Sequence, residues 1–234
     1  CRQRQMCIRD RVKRGLLGAT SPIFVAGSSS SVADTLFFDS ADVLQIEGYN
    51  SGIDYKFATN AAYRDCSAWY HIVVAIDTTQ GTNTDRMKVY VNGTQVTSFS
   101  SITYPDEDYQ GSINNTVSQT VGSSTNAQRF GNTYFDGYMA ETVLIDGSAL
   151  APTSFGEFSE TSPTIWKPID VSGLTKGTNG FYLDFEDSSN LGNCAFGGTD
   201  LSENNIAATD QCTDSPTNNF CTLNPLWYGG TSVS

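Results

Sequence analysis

The chain has one histidine, no Cys-x-x-Cys pair among its six cysteines, and charged side chains at only 16% of its 234 positions. A lone imidazole without paired thiolates gives poor support to a zinc centre. No apolar run approaches the roughly 18 residues of a membrane helix, the longest lying near Ile72 to Ile76. A membrane span is therefore not expected. Basic residues are also scarce, 13 against 25 acidic ones, giving −12 overall and a pI near 4.3. Duplex binding needs clustered Lys and Arg to displace counterions, so nucleic acid is not an expected partner. No Gly-x-Ser-x-Gly elbow and no glycine-rich phosphate loop with a following Lys occur.

What the sequence does hold is aromatic and polar-neutral: 13 Phe, 11 Tyr, 3 Trp and 21 Gly. Disorder goes with few aromatics and dense charge, so most of the chain should fold, and its length allows a core without disulfide staples. Free thiols are the simplest state of Cys66, Cys194, Cys212 and Cys221, with Cys194–Cys212 or Cys212–Cys221 bridges as alternatives. Short β-rich runs alternate with Gly, Ser, Asn and Thr clusters, the pattern of a sandwich or barrel. Strands are predicted over 22–25, 35–38, 43–47, 53–59, 69–77, 86–91, 94–99, 118–122, 128–132, 135–145 and 180–186. The run 70–76 is apolar on both faces and suits a central strand covered on each side. Val91-Asn-Gly-Thr94 predicts a type I′ hairpin, because Asn-Gly tolerates the positive φ such a turn needs. A two-residue loop sets Val91 opposite Thr94 and Val89 opposite Val96, which makes one side of the hairpin mainly apolar. Asn92-Gly-Thr94 and Asn114-Asn-Thr116 are also glycosylation sequons; the first reads as turn chemistry. One short helical turn is expected near Pro152, followed by a proline-containing connector over 162–168. Residues 188–234 read as an extended linker or the start of a following module.

The opening eleven residues stand apart. They lack the apolar core and small-residue cleavage site of a signal peptide. Arg2 to Asp10 is instead similar to the translation of a transposase-type sequencing-library adaptor, as a metagenomic fragment would carry. Residues 1–11 are on this reading a non-native segment outside the fold, and the true N-terminus is missing.

From residue 11 onward, four phrases occur together in order. They are Arg11-Val-Lys-Arg-Gly15, Ser67-Ala-Trp-Tyr-His-Ile-Val-Val-Ala-Ile-Asp77, Lys88-Val-Tyr-Val-Asn-Gly93, and Phe135-Asp-Gly-Tyr-Met-Ala-Glu-Thr-Val-Leu-Ile-Asp146 with Ala149-Leu-Ala-Pro after it. Together they resemble laminin-G-like, concanavalin A-like jelly rolls. The version most similar is that of tail-fibre and structural proteins of marine bacteriophages. The resemblance covers roughly 12–187 and implies an all-β, antiparallel two-sheet jelly-roll sandwich. It also implies binding of cell-surface glycan or polysaccharide, a place in the virion, and assembly with other copies or modules, a trimer by analogy with fibres. Two departures stand out. The strand before Lys13 is cut away by the adaptor-like segment, which leaves one edge open. Residues 180–186 look like an opening strand, yet sit near the end, so they either close this sandwich or begin a second module.

Glucanases share this fold, and retaining glycosidases need two carboxyl groups about 5–5.5 Å apart. The Glu-x-Asp-x-Glu strings of laminarinase-type enzymes are absent; the nearest is Asp184-Phe-Glu186, two acids on one strand face. His71 reads as a core histidine bonded to a neighbour, and Glu141 as a structural acceptor. No catalytic residue is expected. Candidate ligand contacts lie in two segments. Tyr104-Pro-Asp-Glu-Asp-Tyr-Gln-Gly111 sets Tyr104, Asp106, Asp108 and Tyr109 together, and aromatic planes beside carboxylates suit sugar rings. Asp106, Glu107 and Asp108 could equally hold calcium, which wants six to eight oxygens, or lie solvated. Arg129-Phe-Gly-Asn-Thr-Tyr134 offers a cation, an amide and an aromatic through Arg129, Asn132 and Tyr134. The function expected is a non-catalytic carbohydrate-binding module of a phage tail. A glycoside hydrolase or depolymerase on the same fold, and a structural fibre spacer, are the alternatives.

Overall fold

The computed structural model describes residues 4–217. Its strands are β1 (Gln5–Arg14), β2 (Ser21–Ser29), β3 (Val32–Phe38), β4 (Val43–Asn50), β5 (Ile53–Ala62), β6 (Trp69–Asp77), β7 (Met87–Val91), β8 (Thr94–Gln95), β9 (Phe99–Thr103), β10 (Ser118–Val121), β11 (Ser123–Ser124), β12 (Thr133–Tyr134), β13 (Gly137–Asp146), β14 (Gly156–Phe158), β15 (Trp166–Pro168) and β16 (Phe181–Leu183). The first sheet runs β16-β13-β1-β6-β7-β8 and the second β10-β2-β3-β4-β5-β9. All neighbours pair antiparallel. Two short ribbons, β11–β12 and β14–β15, lie outside the main sheets.

Period-2 alternation explains the packing. From the first sheet, Met6, Ile8, Val12, Ile72, Val74 and Ile76 point inward. They meet Phe24, Leu36, Phe38, Leu44, Ile46 and Phe57 of the second sheet. Each such side chain contributes about 1.5–3 kcal/mol by leaving water. The intervening residues Cys7, Val73, Val143 and Ile145 are covered by Phe155 and Val171, making a second, smaller core on the outer face of the first sheet. β6 is thus buried on both faces, as the unbroken apolar run 70–76 predicts.

The hairpin also follows its sequence. Val91 pairs with Thr94 and Tyr90 with Gln95, while Asn92 (φ 49°) and Gly93 (φ 76°) form the turn. The strand β8 ends at Gln95, with one further hydrogen bond from the Val96 N–H to the Val89 carbonyl at 2.8 Å, rather than running to residue 99, and the chain crosses to the second sheet at Phe99. The short helical turn falls at Pro152–Ser154, as a 3₁₀ turn.

Several expectations are corrected. Residues 5–11, set outside the fold on sequence, form with 12–14 the central strand β1, hydrogen-bonded to β13 and β6. Their period-2 pattern is masked because the outer-facing places hold Cys7, Arg9 and Arg11 and an inner-facing one holds Asp10. No edge opens there. The predicted strand 180–186 shortens to β16, which pairs with β13 at Thr142–Leu183 and so closes this sandwich. The predicted strand 128–132 is a turn instead, with pairing at Thr133 and Tyr134. The connector over 162–168 supplies β15, pairing with β14. Residues 188–217 are not an extended linker: Leu191 and Cys194 are buried, Leu201 packs on the main core, and Asp214 pairs with Lys13 at 2.6 Å. Cys194 and Cys212 are free thiols, while Cys221 lies outside the described residues.

Gly93 carries the tightest constraint in the hairpin. Besides its positive φ, a Cβ there would lie 2.2 Å from the Trp166 ring. Gly93→Ala is expected to cost about 2–4 kcal/mol in urea unfolding, from left-handed backbone strain plus overpacking. A loss below about 0.5 kcal/mol would show that the turn is unconstrained.

Candidate functional site

The crossing from β8 to β9 brings the free edges of the two sheets side by side. Between them opens a groove of about 320 Å³. Its floor is Phe57, Met87 and Val89, the outermost members of the core, and its walls are Val96, Phe99, Ile102 and Tyr104. The Phe57 ring meets Phe99 and Tyr104 edge to face, at 5.4 and 5.3 Å between centroids. Such pairing fixes the two outer rings in place. Thr84, Lys88, Gln95 and Thr97 form the polar rim. The Lys88 ammonium is 2.9 Å from Asp85, whose hydrogen bond holds its pKa above the usual lysine range. The lining supplies hydroxyls, an amide and an ammonium over aromatic faces. It contains no carboxylate, imidazole or thiol, so it is equipped to hold a polar ring but offers no acid–base pair.

Of the predicted contacts in 104–111, only Tyr104 reaches this groove. Tyr109 packs edge to face on Tyr55 at 5.5 Å and donates its hydroxyl to Asp54 at 3.1 Å; burial pushes that hydroxyl's pKa up. The three acids turn to separate places: Asp108 to Arg4 at 2.5 Å, Glu107 to Arg86 at 3.4 Å, and Asp106 to solvent. No group of three or more metal-ligating side chains converges among the described residues. The loop's far end is tied down by Asp34, buried on the inner face of β3, which accepts the backbone N–H groups of Ser112 at 2.5 Å and Ile113 at 2.9 Å. Burial raises the Asp34 carboxyl to about 6. Gly111 allows this approach, since a Cβ would lie 2.0 Å from the Asp34 carboxylate.

The second predicted segment caps the outer face of the second sheet. Arg129 lies 3.0 Å from Glu47 and 3.7 Å above the Tyr49 ring, and Lys56 reaches the same carboxylate at 3.5 Å. Phe130 packs on Phe37 at 4.6 Å. Asn132 and Tyr134 follow in an exposed turn and in β12, Tyr134 being 61% exposed. Arg129 is therefore engaged with the sheet below it, while Asn132 and Tyr134 face solvent.

His71 and Glu141 meet on the outer face of the first sheet. His71 accepts a hydrogen bond from Arg9 at 3.2 Å and packs against Trp166. Burial and the neighbouring Arg9 and Arg11 push its pKa down to about 2, so the ring is neutral. Glu141, at φ 58° in the β1–β13 bulge, pairs with Arg9 and Arg11. Both play the structural parts expected of them. Asp184 and Glu186 do not share a strand face, because β16 ends at Leu183 and Phe185 is left-handed at φ 59°. Sequence reasoning missed Phe57, Met87, Val89, Phe99 and Gln95 as a site. Their alternation was visible, but not which edges the crossing would bring together.

Two large antiparallel sheets packed face to face make a jelly-roll-type sandwich. The chain belongs to the Laminin_G_3 family of the concanavalin A-like lectin/glucanases superfamily, whose profile matches residues 8–153 and so begins within the adaptor-like segment. No curated protein matches the sequence. Among solved structures, the chain is similar to the native heptameric SAP-like pentraxin from Limulus polyphemus, at 19% identity and TM-score 0.44, covering 64% of this chain and 66% of that one. It is similar to domain 4 of AbnA, an extracellular GH43 arabinanase from Geobacillus stearothermophilus in complex with arabinotriose, at 19% identity and TM-score 0.48, covering 65% of each. It is also similar to the Ruminococcus gnavus IT-sialidase CBM40 bound to α2,3-sialyllactose, at 16% identity and TM-score 0.44, covering 64% of this chain and 78% of that one. The chain thus spans slightly under two thirds of the first two, and at such identities the likeness is one of fold.

Asp34 gives a pH-dependent signature. Between pH about 4 and 6 the native carboxyl keeps a proton that the unfolded chain releases, so its contribution to stability falls as pH rises through that window and is constant above it. Asp34→Asn keeps an acceptor oxygen but cannot titrate. The stability difference between wild type and variant, from urea titrations at pH 4 and 6.5, should change by on the order of 2–3 kcal/mol, wild type losing ground at the higher pH. A pH-independent difference would show that Asp34 is not desolvated.

Proposed function

We propose that this sandwich is a non-catalytic carbohydrate-binding module that holds one or two sugar rings in the groove between β8 and β9. The observation that carries the proposal is the groove lining. Tyr104 and Phe99 present aromatic walls to the C–H faces of a pyranose, and Thr84, Gln95 and Thr97 stand where ring hydroxyls need partners. At about 320 Å³ it falls at the small end of ligand sites. Lys88 is already paired with Asp85, which favours a neutral sugar over an acidic one. A shallow site of this kind gives Kd near 1 mM, about −4 kcal/mol. Useful attachment then needs several copies acting together. That requirement, with the resemblance to phage tail-fibre sequences, supports a homo-oligomeric virion protein that contacts host glycan.

Glycan-array binding of the multimerised protein, with and without calcium, tests this. Tyr104→Ala should weaken binding about tenfold and the exposed Gln95→Ala about three- to tenfold, with the melting temperature of the Gln95 variant unchanged. Binding that survives both substitutions would place the ligand elsewhere. No glycan binding at all would leave a structural spacer, and new reducing ends on incubation with polysaccharide would reveal a depolymerase.

A further inference from the structure

We propose that Arg11, His71 and Trp166 hold one small monovalent anion, of the size of chloride, against the outer face of the first sheet. Arg11 and His71 are direct cross-strand partners in the β1–β6 register. The Trp166 ring of the outer ribbon packs on the imidazole at 5.6 Å between centroids. Each of the three brings a buried nitrogen with no hydrogen-bond partner: Nε of Arg11, Nδ1 of His71 and Nε1 of Trp166. All three are donors. For His71 this follows from Arg9, whose Nε donates to the imidazole Nε2 at 3.2 Å and so leaves the ring proton on Nδ1. Arg11 is only 2% exposed and His71 only 4%, so bulk water does not serve these groups. An N–H taken out of water needs an acceptor, and here three neighbouring ones lack it.

The charge balance points the same way. Arg9 is fully engaged: Nε on His71, Nη1 on the Glu141 carbonyl and Nη2 on the Glu141 carboxylate at 2.5 Å. Arg11 has one ion pair among the described residues, from Nη2 at 2.9 Å, and it falls on the same Oε2 that Arg9 occupies. That Nη2 makes no hydrogen bond. Two guanidiniums therefore face one carboxylate beside a neutral imidazole. One positive charge is left over, which one monovalent anion balances. Burial, and after it Arg9, push the Arg11 pKa down, and Glu141 offsets them only in part. The next cation along the strand, Lys13, is matched by Asp214 at 2.6 Å. A trapped water could accept from two of the donors but would leave the charge standing. An anion takes all three donors, which come from β1, β6 and β15, and so fastens the outer ribbon to the sheet. The Glu141 side chain is 28% exposed and gives the cluster a way to solvent. Burial this deep favours a bare spherical ion over a bulky oxyanion.

Thermal unfolding followed by circular dichroism, with chloride replacing gluconate at constant ionic strength, tests the proposal. Chloride should raise Tm saturably by about 3–8 °C, as a ligand confined to the folded state does. Arg11→Gln, which removes the surplus charge, should abolish the rise. Trp166→Phe, which removes one donor and keeps a ring, should at least halve it. Crystals soaked in bromide should show an anomalous peak within hydrogen-bond reach of Arg11 Nε. No saturable rise in the wild type overturns the proposal. The same rise in Arg11→Gln overturns it too, and would mean a general salt effect. If Arg11→Gln does not fold, the bromide position decides, and no peak at Arg11 ends the proposal.

Discussion

The fold depends on the burial of β6 from both sides. Ile72, Val74 and Ile76 lock into the second sheet, while Val73 receives Phe155 and Val171 from the later chain. A strand so enclosed fixes the first sheet, and through its neighbours β1 and β7 fixes the register of the hairpin and of β13. It also explains why segment 150–171 folds back rather than trailing away: the outer face of the first sheet is too apolar at Cys7, Val73, Val143 and Ile145 to stay in water, whereas Cys194 and Leu201 of the later chain pack on the main core.

The groove is a by-product of how the chain changes sheets. Type I′ geometry at Asn92-Gly93 turns β7 back on itself, but the pairing lasts only two residues. The chain then crosses to edge β9, and the core ends in the half-buried rings of Phe99 and Tyr104 instead of being sealed by another strand. Asp34 plays a complementary part from within, holding the backbone at Ser112 and Ile113 so that loop 104–111 keeps Tyr104 against Phe57. On the proposed reading, rigid aromatic walls and a few neutral donors and acceptors are what the groove offers a sugar ring.

Legibility varied with how each residue's chemistry agreed with its position. β6 and the Asn92-Gly93 turn were legible because local preference and global placement coincide there. β1 was hidden because charged residues occupy buried places, so alternation could not be read as apolar against polar. The acids of loop 104–111 looked like a shared ligand set in one dimension. In space each is drawn to a different partner, Arg4 for Asp108 and Arg86 for Glu107, and a pairing across about a hundred residues has no local signature. Arg129 was likewise visible as a cation but not as the partner of Glu47 and Tyr49.

By itself the sequence narrowed the class of fold: two-residue periodicity and turn chemistry point to a sandwich or barrel, and the resemblance to laminin-G-like jelly rolls implies two stacked antiparallel layers. Only the tertiary structure decided which edges meet, that Phe57, Phe99 and Tyr104 line one groove, and that residues 180–183 close the sandwich. The reason is physical. Periodicity fixes the face a side chain points to, a property of its own strand, whereas a site needs side chains from strands far apart in sequence, and their meeting depends on packing that no local run of residues encodes.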